Sequence, residues 1–286
     1  MAASITAPAV RSRKVRTGAE PLVMVTAYDA PGARMADEAG VDLILVGDSL
    51  AMVVLGYDDT LQVTIDDMAH HVAAVARAKP HPLVVGDLPW LSYHVSAEDA
   101  VRNAAHLVRA GAQAVKLEGG RKRLPVIEAI LDAEVPVMGH LGLTPQSVHA
   151  MGGFKVQGKE RSAALALVDD AHALEEAGCF SIVLEGVPDE VARMVTDAVS
   201  VPTIGIGAGR HCDGQVLVFH DVLGLEDRII PKFVRRYADL KASAVEGLRA
   251  FATDVRSGQF PADDESYHLA DDVRSALHLY GGTKSA

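Results

Sequence analysis

Short, continuous apolar runs alternate with longer amphipathic stretches along most of the chain. Eight such runs stand out, at 22–26, 43–46, 83–86, 114–117, 137–139, 181–184, 203–206 and 215–219. They lack polar alternation, the pattern of strands buried on both faces in a parallel sheet. Pro82, Pro136 and Pro202 precede three of them, a position where a strand tolerates the missing N–H. Before three others the chain reads Ala39-Gly40, Ala110-Gly111 and Ala177-Gly178. Glycine there predicts a helix end, because it takes the left-handed conformation cheaply. Thr64 with Asp67 and Ser96 with Asp99 predict capped helix starts, leading Ala-rich amphipathic helices at 66–78 and 97–110.

Eight strands alternating with helices predict an α/β fold, a (β/α)8 TIM barrel. An open doubly wound sheet is the alternative. The barrel is favoured because polar residues follow the C-terminal ends of many strands rather than one switch point. Helical patterns at 234–253 and 270–278 exceed what eight units need, and read as a C-terminal helical extension or an oligomer contact. The expected organisation is a flexible N-terminal arm at 1–18, a catalytic barrel with C-terminal helices at 19–268, and a tail at 269–286.

Charge and composition then exclude several classes. Lys and Arg number 27 against 38 Asp and Glu, a net charge of −11, which disfavours a nucleic-acid partner held through phosphates. No apolar run approaches the roughly 18 residues of a membrane span. Two cysteines, Cys179 and Cys212, make no disulfide framework and fit a reducing cytoplasm. Residues 1–17 lack acids and read as a basic arm or an organellar transit peptide. Without an apolar core they are not a secretory signal.

Candidate chemistry lies at the strand ends: Asp48-Ser49 after the second, Asp87 after the third, Lys116 and Glu118 on the fourth, His140 on the fifth and Glu185 on the sixth. In a barrel these converge on one mouth. Charges at the ends of apolar strands are costly to desolvate unless paired or metal-bound. Asp48, Asp87 and Glu118 are natural ligands for a hard cation, Mg2+ foremost, because oxygen donors are present without a His/Cys cluster. Each acid could instead cap the following helix. Glu185 reads as a fourth ligand, a general base or a cap. Lys116, on the same strand face as Glu118, suits a substrate carboxylate or a neighbouring acid. His140 is an acid–base candidate or a satisfied core histidine. Gly205-Ile206-Gly207-Ala208-Gly209 lacks a dinucleotide fingerprint. Arg121-Lys122-Arg123 reads as a solvated loop or an attractor for an acidic cofactor tail.

The strand-end motifs resemble a known family. Val46-Gly47-Asp48-Ser49, Asp87-Leu88-Pro89, Lys116-Leu117-Glu118-Gly119-Gly120, the run from Gly139 through His140 and Gln146 to Ser147, and Gly152-Gly153-Phe154-Lys155-Val156-Gln157-Gly158 are similar to ketopantoate hydroxymethyltransferases. The resemblance implies a Mg2+-dependent barrel that transfers a hydroxymethyl group from 5,10-methylenetetrahydrofolate to 3-methyl-2-oxobutanoate, giving 2-dehydropantoate in pantothenate synthesis. It implies Asp48 and Asp87 on the metal, with Glu118 joining directly or through water. It implies Ser49 and Lys116 on the 2-oxo acid, Glu185 as proton acceptor, His140 as a pocket residue and a homo-oligomer, often a decamer. Two other readings compete: a carbon–carbon lyase or phosphoenolpyruvate-type mutase, and a non-catalytic 2-oxo acid binder. Neither cysteine stands at a strand end where many such lyases use one, and a binder has no need of Glu185.

Overall fold

The eight apolar runs form strands that close on themselves. The computed structural model describes residues 4–226, 228 and 231–277. Its strands are β1 (Leu22–Thr26), β2 (Leu43–Val46), β3 (Leu83–Asp87), β4 (Ala114–Glu118), β5 (Val137–Gly142), β6 (Ser181–Glu185), β7 (Thr203–Ile206) and β8 (Gly214–Leu217). They pair in chain order, all parallel, and β1 closes against β8, which excludes the open sheet. β5 outruns its predicted end because His140, Leu141 and Gly142 keep pairing with Val183, Leu184 and Glu185. β8 ends before its predicted limit. There the Phe219 N–H donates to Thr26 Oγ1 at 2.9 Å and the helix Phe219–Val222 begins.

The helix signals correspond to real caps. Thr64 and Asp67 form a reciprocal capping box on Ile65–Ala76, and Ser96 accepts from the Asp99 N–H to start Ala97–Ala110. Gly111 and Gly178 end their helices at φ +116° and +107°, a region where a side chain is strained.

Strand parity divides the core in two. Leu43, Leu45, Leu83, Val85, Ala114, Met138, Val183 and Ile204 join one buried cluster inside the barrel. Ile44, Val46, Val84, Val115, Leu117, Val137, Ile182 and Leu184 join another, between strands and helices. Side chains alternate along a strand, so continuing the interior rows by two gives Asp87 after Val85, Lys116 and Glu118 after Ala114, His140 after Met138, and Glu185 after Val183. The apolar interior therefore turns polar at the strands' C-terminal ends.

The N-terminal segment, expected as a flexible arm, is packed. Thr6 caps the helix Ala7–Arg11, whose Ala7 and Val10 join the interior cluster and whose Val10 is wholly buried. Just beyond, Lys14 Nζ lies 2.7 Å from Asp213 Oδ2 and donates to the Val201 carbonyl at 3.1 Å. Burial lowers the Lys14 pKa, and Asp213 opposes that shift. The basic character of this segment thus includes a buried ion pair that ties it to the rest of the barrel.

The chain divides into two compact units, residues 1–238 and 239–286, where the sequence suggested one body to residue 268. In the second, Asp239 accepts from the Ala242 N–H and starts the helix Leu240–Ser257, later than the predicted start at 234. Val234 is instead in a turn, its N–H donating to the Pro231 carbonyl. The helix Asp271–Ala276 lies within the predicted 270–278, of which residue 278 falls outside the described residues. Among the described residues no helix is long and apolar enough to cross a membrane.

Candidate active site

Six of the seven predicted site residues meet in one connected group at the C-terminal end of the barrel. Lys116 is its centre: Nζ lies 2.9 Å from Asp87 Oδ1 and 3.2 Å from His140 Nδ1. His140 Nδ1 is in turn 3.6 Å from Glu118 Oε1, and Nε2 is 3.2 Å from Glu185 Oε2. The other Asp87 oxygen, Oδ2, accepts from the Asp48 N–H at 3.3 Å. Asp48, Asp87, Lys116, Glu118 and His140 are buried, while the Glu185 side chain keeps 18% exposure. The Lys116 pairing with Asp87 realises the neighbouring-acid alternative. Ser49, the seventh, sits in the turn after Asp48 and shares a 2.9 Å hydrogen bond with Tyr28 Oη.

Two further residues hold this group in place. Gln146 Nε2 donates to Asp48 Oδ2 and to the Leu88 carbonyl, both at 2.9 Å, and its backbone N–H donates to Glu118 Oε2 at 3.0 Å. Tyr93, fully buried, donates to Gln146 Oε1 at 2.6 Å and accepts from the Glu118 N–H at 3.2 Å. Gln146 stands inside the quoted Gly139–Ser147 motif, its one signal in the sequence. Nothing in the pattern marks Tyr93. Glu185 is placed by a glycine: a Cβ on Gly142, whose φ is +94°, would come within 2.2 Å of the Glu185 carbonyl oxygen.

The electrostatics follow from four carboxylates around one ammonium. Burial, then the Asp87 charge, pushes the Asp48 carboxyl up to about 8. Burial and Asp48 raise Glu118 well above the usual carboxylate range. Burial opposes the Lys116 charge, but Asp87, Glu118 and Asp48 outweigh it and its pKa is raised. His140 is held neutral by burial and by Lys116. An ammonium can only donate, so His140 Nδ1 accepts from Lys116 and Nε2 carries the proton that faces Glu185.

This donor set suits a hard cation better than it suits itself. The ligands are oxygens. Asp87 Oδ1 is buried without an aligned hydrogen bond despite its short contact to Lys116, and two carboxyls, Asp48 and Glu118, are pushed toward protonation by burial and then by a neighbouring carboxylate's charge. The three expected ligands do not, however, form one cage: among the described residues no three His, Cys, Asp or Glu side chains converge as a metal set. Glu118 is turned toward His140 and the Gln146 N–H, leaving Asp48 and Asp87 as the contiguous pair.

The fold and this acidic mouth define a class, the α/β-barrel enzymes. The barrel is similar to the solved structure of 2,3-dimethylmalate lyase, a PEP mutase/isocitrate lyase superfamily member, at 19% identity and TM-score 0.57, covering 97% of this chain and 100% of that one. It is similar also to phosphonopyruvate hydrolase in complex with oxalate and Mg2+, at 15% identity and TM-score 0.59, covering 96% and 95%. At these identities the likeness is one of fold. Sequence carries it further. A family model described as ketopantoate hydroxymethyltransferase matches residues 5–263. The 3-methyl-2-oxobutanoate hydroxymethyltransferase of Syntrophomonas wolfei is 54% identical over 277 residues, 96% of this chain and 100% of that protein. The protein of the same name from Ignicoccus hospitalis is 60% identical over 251 residues, 88% and 95% of the two chains. The chain belongs to the ketopantoate hydroxymethyltransferase family.

Proposed function

We propose that this barrel transfers a hydroxymethyl group from 5,10-methylenetetrahydrofolate to 3-methyl-2-oxobutanoate, giving 2-dehydropantoate. Family membership supports the reaction. The observation that carries the assignment of roles is the interior row Asp87, Lys116, Glu118, His140 and Glu185, in which Glu185 alone among the row's carboxylates stays partly open to the mouth. Asp48 and Asp87 would hold Mg2+, with Glu118 acting through water, and the ion would supply Lewis-acid stabilisation of the charge that develops on the 2-oxo acid.

The chain's own residues do the rest. Glu185 takes the proton from C3 of the 2-oxo acid. Water's hydroxyl joins the donor's methylene carbon as one of its two C–N bonds breaks, and that nitrogen keeps the electron pair and takes water's other proton. The C3 electron pair then forms the new carbon–carbon bond to the same carbon, and the second nitrogen leaves with its C–N pair and takes the proton that Glu185 removed from C3. The Lys116 ammonium adds positive charge near the substrate carboxylate, and Ser49, fixed by Tyr28, offers a hydroxyl at the same mouth. The lyase reading finds no support in the thiols, since burial raises Cys179 to about 12 and Cys212 to about 11. The same family reading carries the expectations of a cytoplasmic homo-oligomer, decameric by resemblance, which light scattering would check.

The test is an NMR assay of C3 deuterium exchange and product formation with 3-methyl-2-oxobutanoate and the folate donor. Both reactions are expected to stop in EDTA and to return with Mg2+. Full activity in EDTA would remove the metal from the reading, and absent exchange in the presence of Mg2+ would remove the reaction.

A further inference from the structure

A cavity of about 370 Å3 opens where β4 ends, and Glu118, a member of the acidic site, lines it. Three consecutive cations, Arg121, Lys122 and Arg123, form one wall, and Tyr93 and His94 form another. We propose that this cavity receives the anionic tail of the one-carbon donor, an aromatic ring on the Tyr93/His94 side and carboxylates on Lys122 and Arg123. The inference rests on the folate reading given above.

The cations are not equivalent. Arg121 is neutralised within the chain, its Nε donating to Asp170 Oδ1 at 2.8 Å. Among the described residues Lys122 and Arg123 have no carboxylate partner, so two positive charges stay available to a ligand. Arg123 is also held in place. Its guanidinium lies over the Tyr93 ring, 5.6 Å from the centroid, a distance at which the ring attracts a cation. Its Cγ packs so closely on Gly119 that a Cβ there would sit 2.9 Å away. A Cβ on Gly120 would strike the Asp170 side chain within 2.7 Å. The two glycines let cation and acid close around the loop.

The aromatic wall has a second signal. The Tyr93 and His94 rings lie 4.2 Å apart at 38°, and His94 Nδ1 is buried without a hydrogen-bond partner. His94 keeps partial exposure and offers a flat ligand bearing carboxylates an aromatic surface beside both cations. The p-aminobenzoyl-glutamate portion of a reduced folate has this composition. The volume falls within the usual range for small-molecule pockets, about 300–1,000 Å3. Because Glu118 lines this cavity and belongs to the acidic site, a tail seated here leaves the donor's reactive end beside the acidic mouth.

Steady-state kinetics with mono- and pentaglutamyl 5,10-methylenetetrahydrofolate test the proposal on the K122Q/R123Q double variant, both positions lying outside the core. The expected result is a lower KM for the pentaglutamyl donor in the unaltered chain. In the double variant the folate KM should rise about tenfold, equivalent to about 1.4 kcal/mol, with loss of the pentaglutamyl preference. The rise in folate KM with salt should also flatten. C3 exchange, which needs no folate, and the KM for the 2-oxo acid should stay within about twofold. An unchanged folate KM in the variant, or an equal rise for the 2-oxo acid, overturns the cavity assignment alone. An unaltered chain that exchanges C3 yet ignores folate overturns the donor reading and this proposal with it.

Discussion

His140 Nε2 faces Glu185 Oε2 at 3.2 Å across β5 and β6, and receives its tautomer from Lys116 on the opposite side of the ring. The contact has no aligned hydrogen bond, so the imidazole orients the carboxylate without fully satisfying it, leaving Glu185 able to accept a proton from substrate. Glu185→Gln is therefore expected to bind the 2-oxo acid normally while C3 exchange falls by about 10²–10⁴-fold. His140→Gln should lower exchange less and leave the 2-oxo acid KM within about twofold, as a positioning residue would. Wild-type exchange in Glu185→Gln, followed by NMR, would remove Glu185 from the base role.

Gln146 ties Asp48 to Tyr93 through its side chain while its own backbone holds Glu118. Gln146→Ala strips partners from a buried carboxylate, a carbonyl and a phenol at once. Each buried polar group left unsatisfied costs about 1–3 kcal/mol, so the thermal midpoint should drop by several degrees. The Mg2+ concentration giving half-maximal activity should rise as Asp48 loses its anchor. An unchanged Mg2+ requirement, measured by titration into the metal-free protein, would confine Gln146 to a folding role.

What was legible in the chain divides along a physical line. β2 and β7 match their apolar runs at both ends, because burial on both faces writes itself directly into sequence, and β1 matches as well although Val23 leaves its outer face half exposed. The pairing of Lys116 with Glu118 on one face was legible from strand parity, and the same parity places Asp87, His140 and Glu185 inside the barrel. Gln146 carries no such period: it sits in the single 3-10 turn Pro145–Ser147 after β5, and its contacts come from Asp48, Leu88, Tyr93 and Glu118 on three other segments. The N-terminal segment misled for a related reason. Its order depends on a contact between Lys14 and Asp213, 199 positions apart, which local composition does not carry. Strand-end position fixes the mouth but not the direction in which Glu118 turns, which is toward His140 and the Gln146 N–H.

Lys14 and Arg13 offer a controlled contrast in the same segment. The Lys14–Asp213 pair is almost fully buried, whereas Arg13 and Asp42 pair at 3.2 Å with side chains 32% and 17% exposed. Lys14→Met leaves Asp213 charged and buried, a loss of about 3–5 kcal/mol. Arg13→Met should cost about 0–1 kcal/mol. Both variants should keep wild-type turnover per folded molecule, since neither residue belongs to the acidic mouth. Equal urea midpoints for the two would show that Lys14 does not clamp the segment.

Acid should destabilise the fold in part through His94. Burial, and then the charge of Arg123, lowers its pKa from 6.5 to about 4. The folded chain therefore keeps His94 neutral where the unfolded chain protonates it. Where the unfolded state binds more protons, stability rises with pH, so the His94 contribution is complete above about pH 6.5 and declines as pH falls toward 4. His94→Gln removes this titration and leaves every carboxylate in place. Thermal melts at pH 7.0, 5.5 and 4.5 should then show a steeper acid decline in the unaltered chain than in the variant. His94 is only partly buried, so the difference is expected to be modest. Parallel declines in the two proteins would mean that His94 takes up its proton as readily folded as unfolded, and that the Tyr93/His94 wall is open to water.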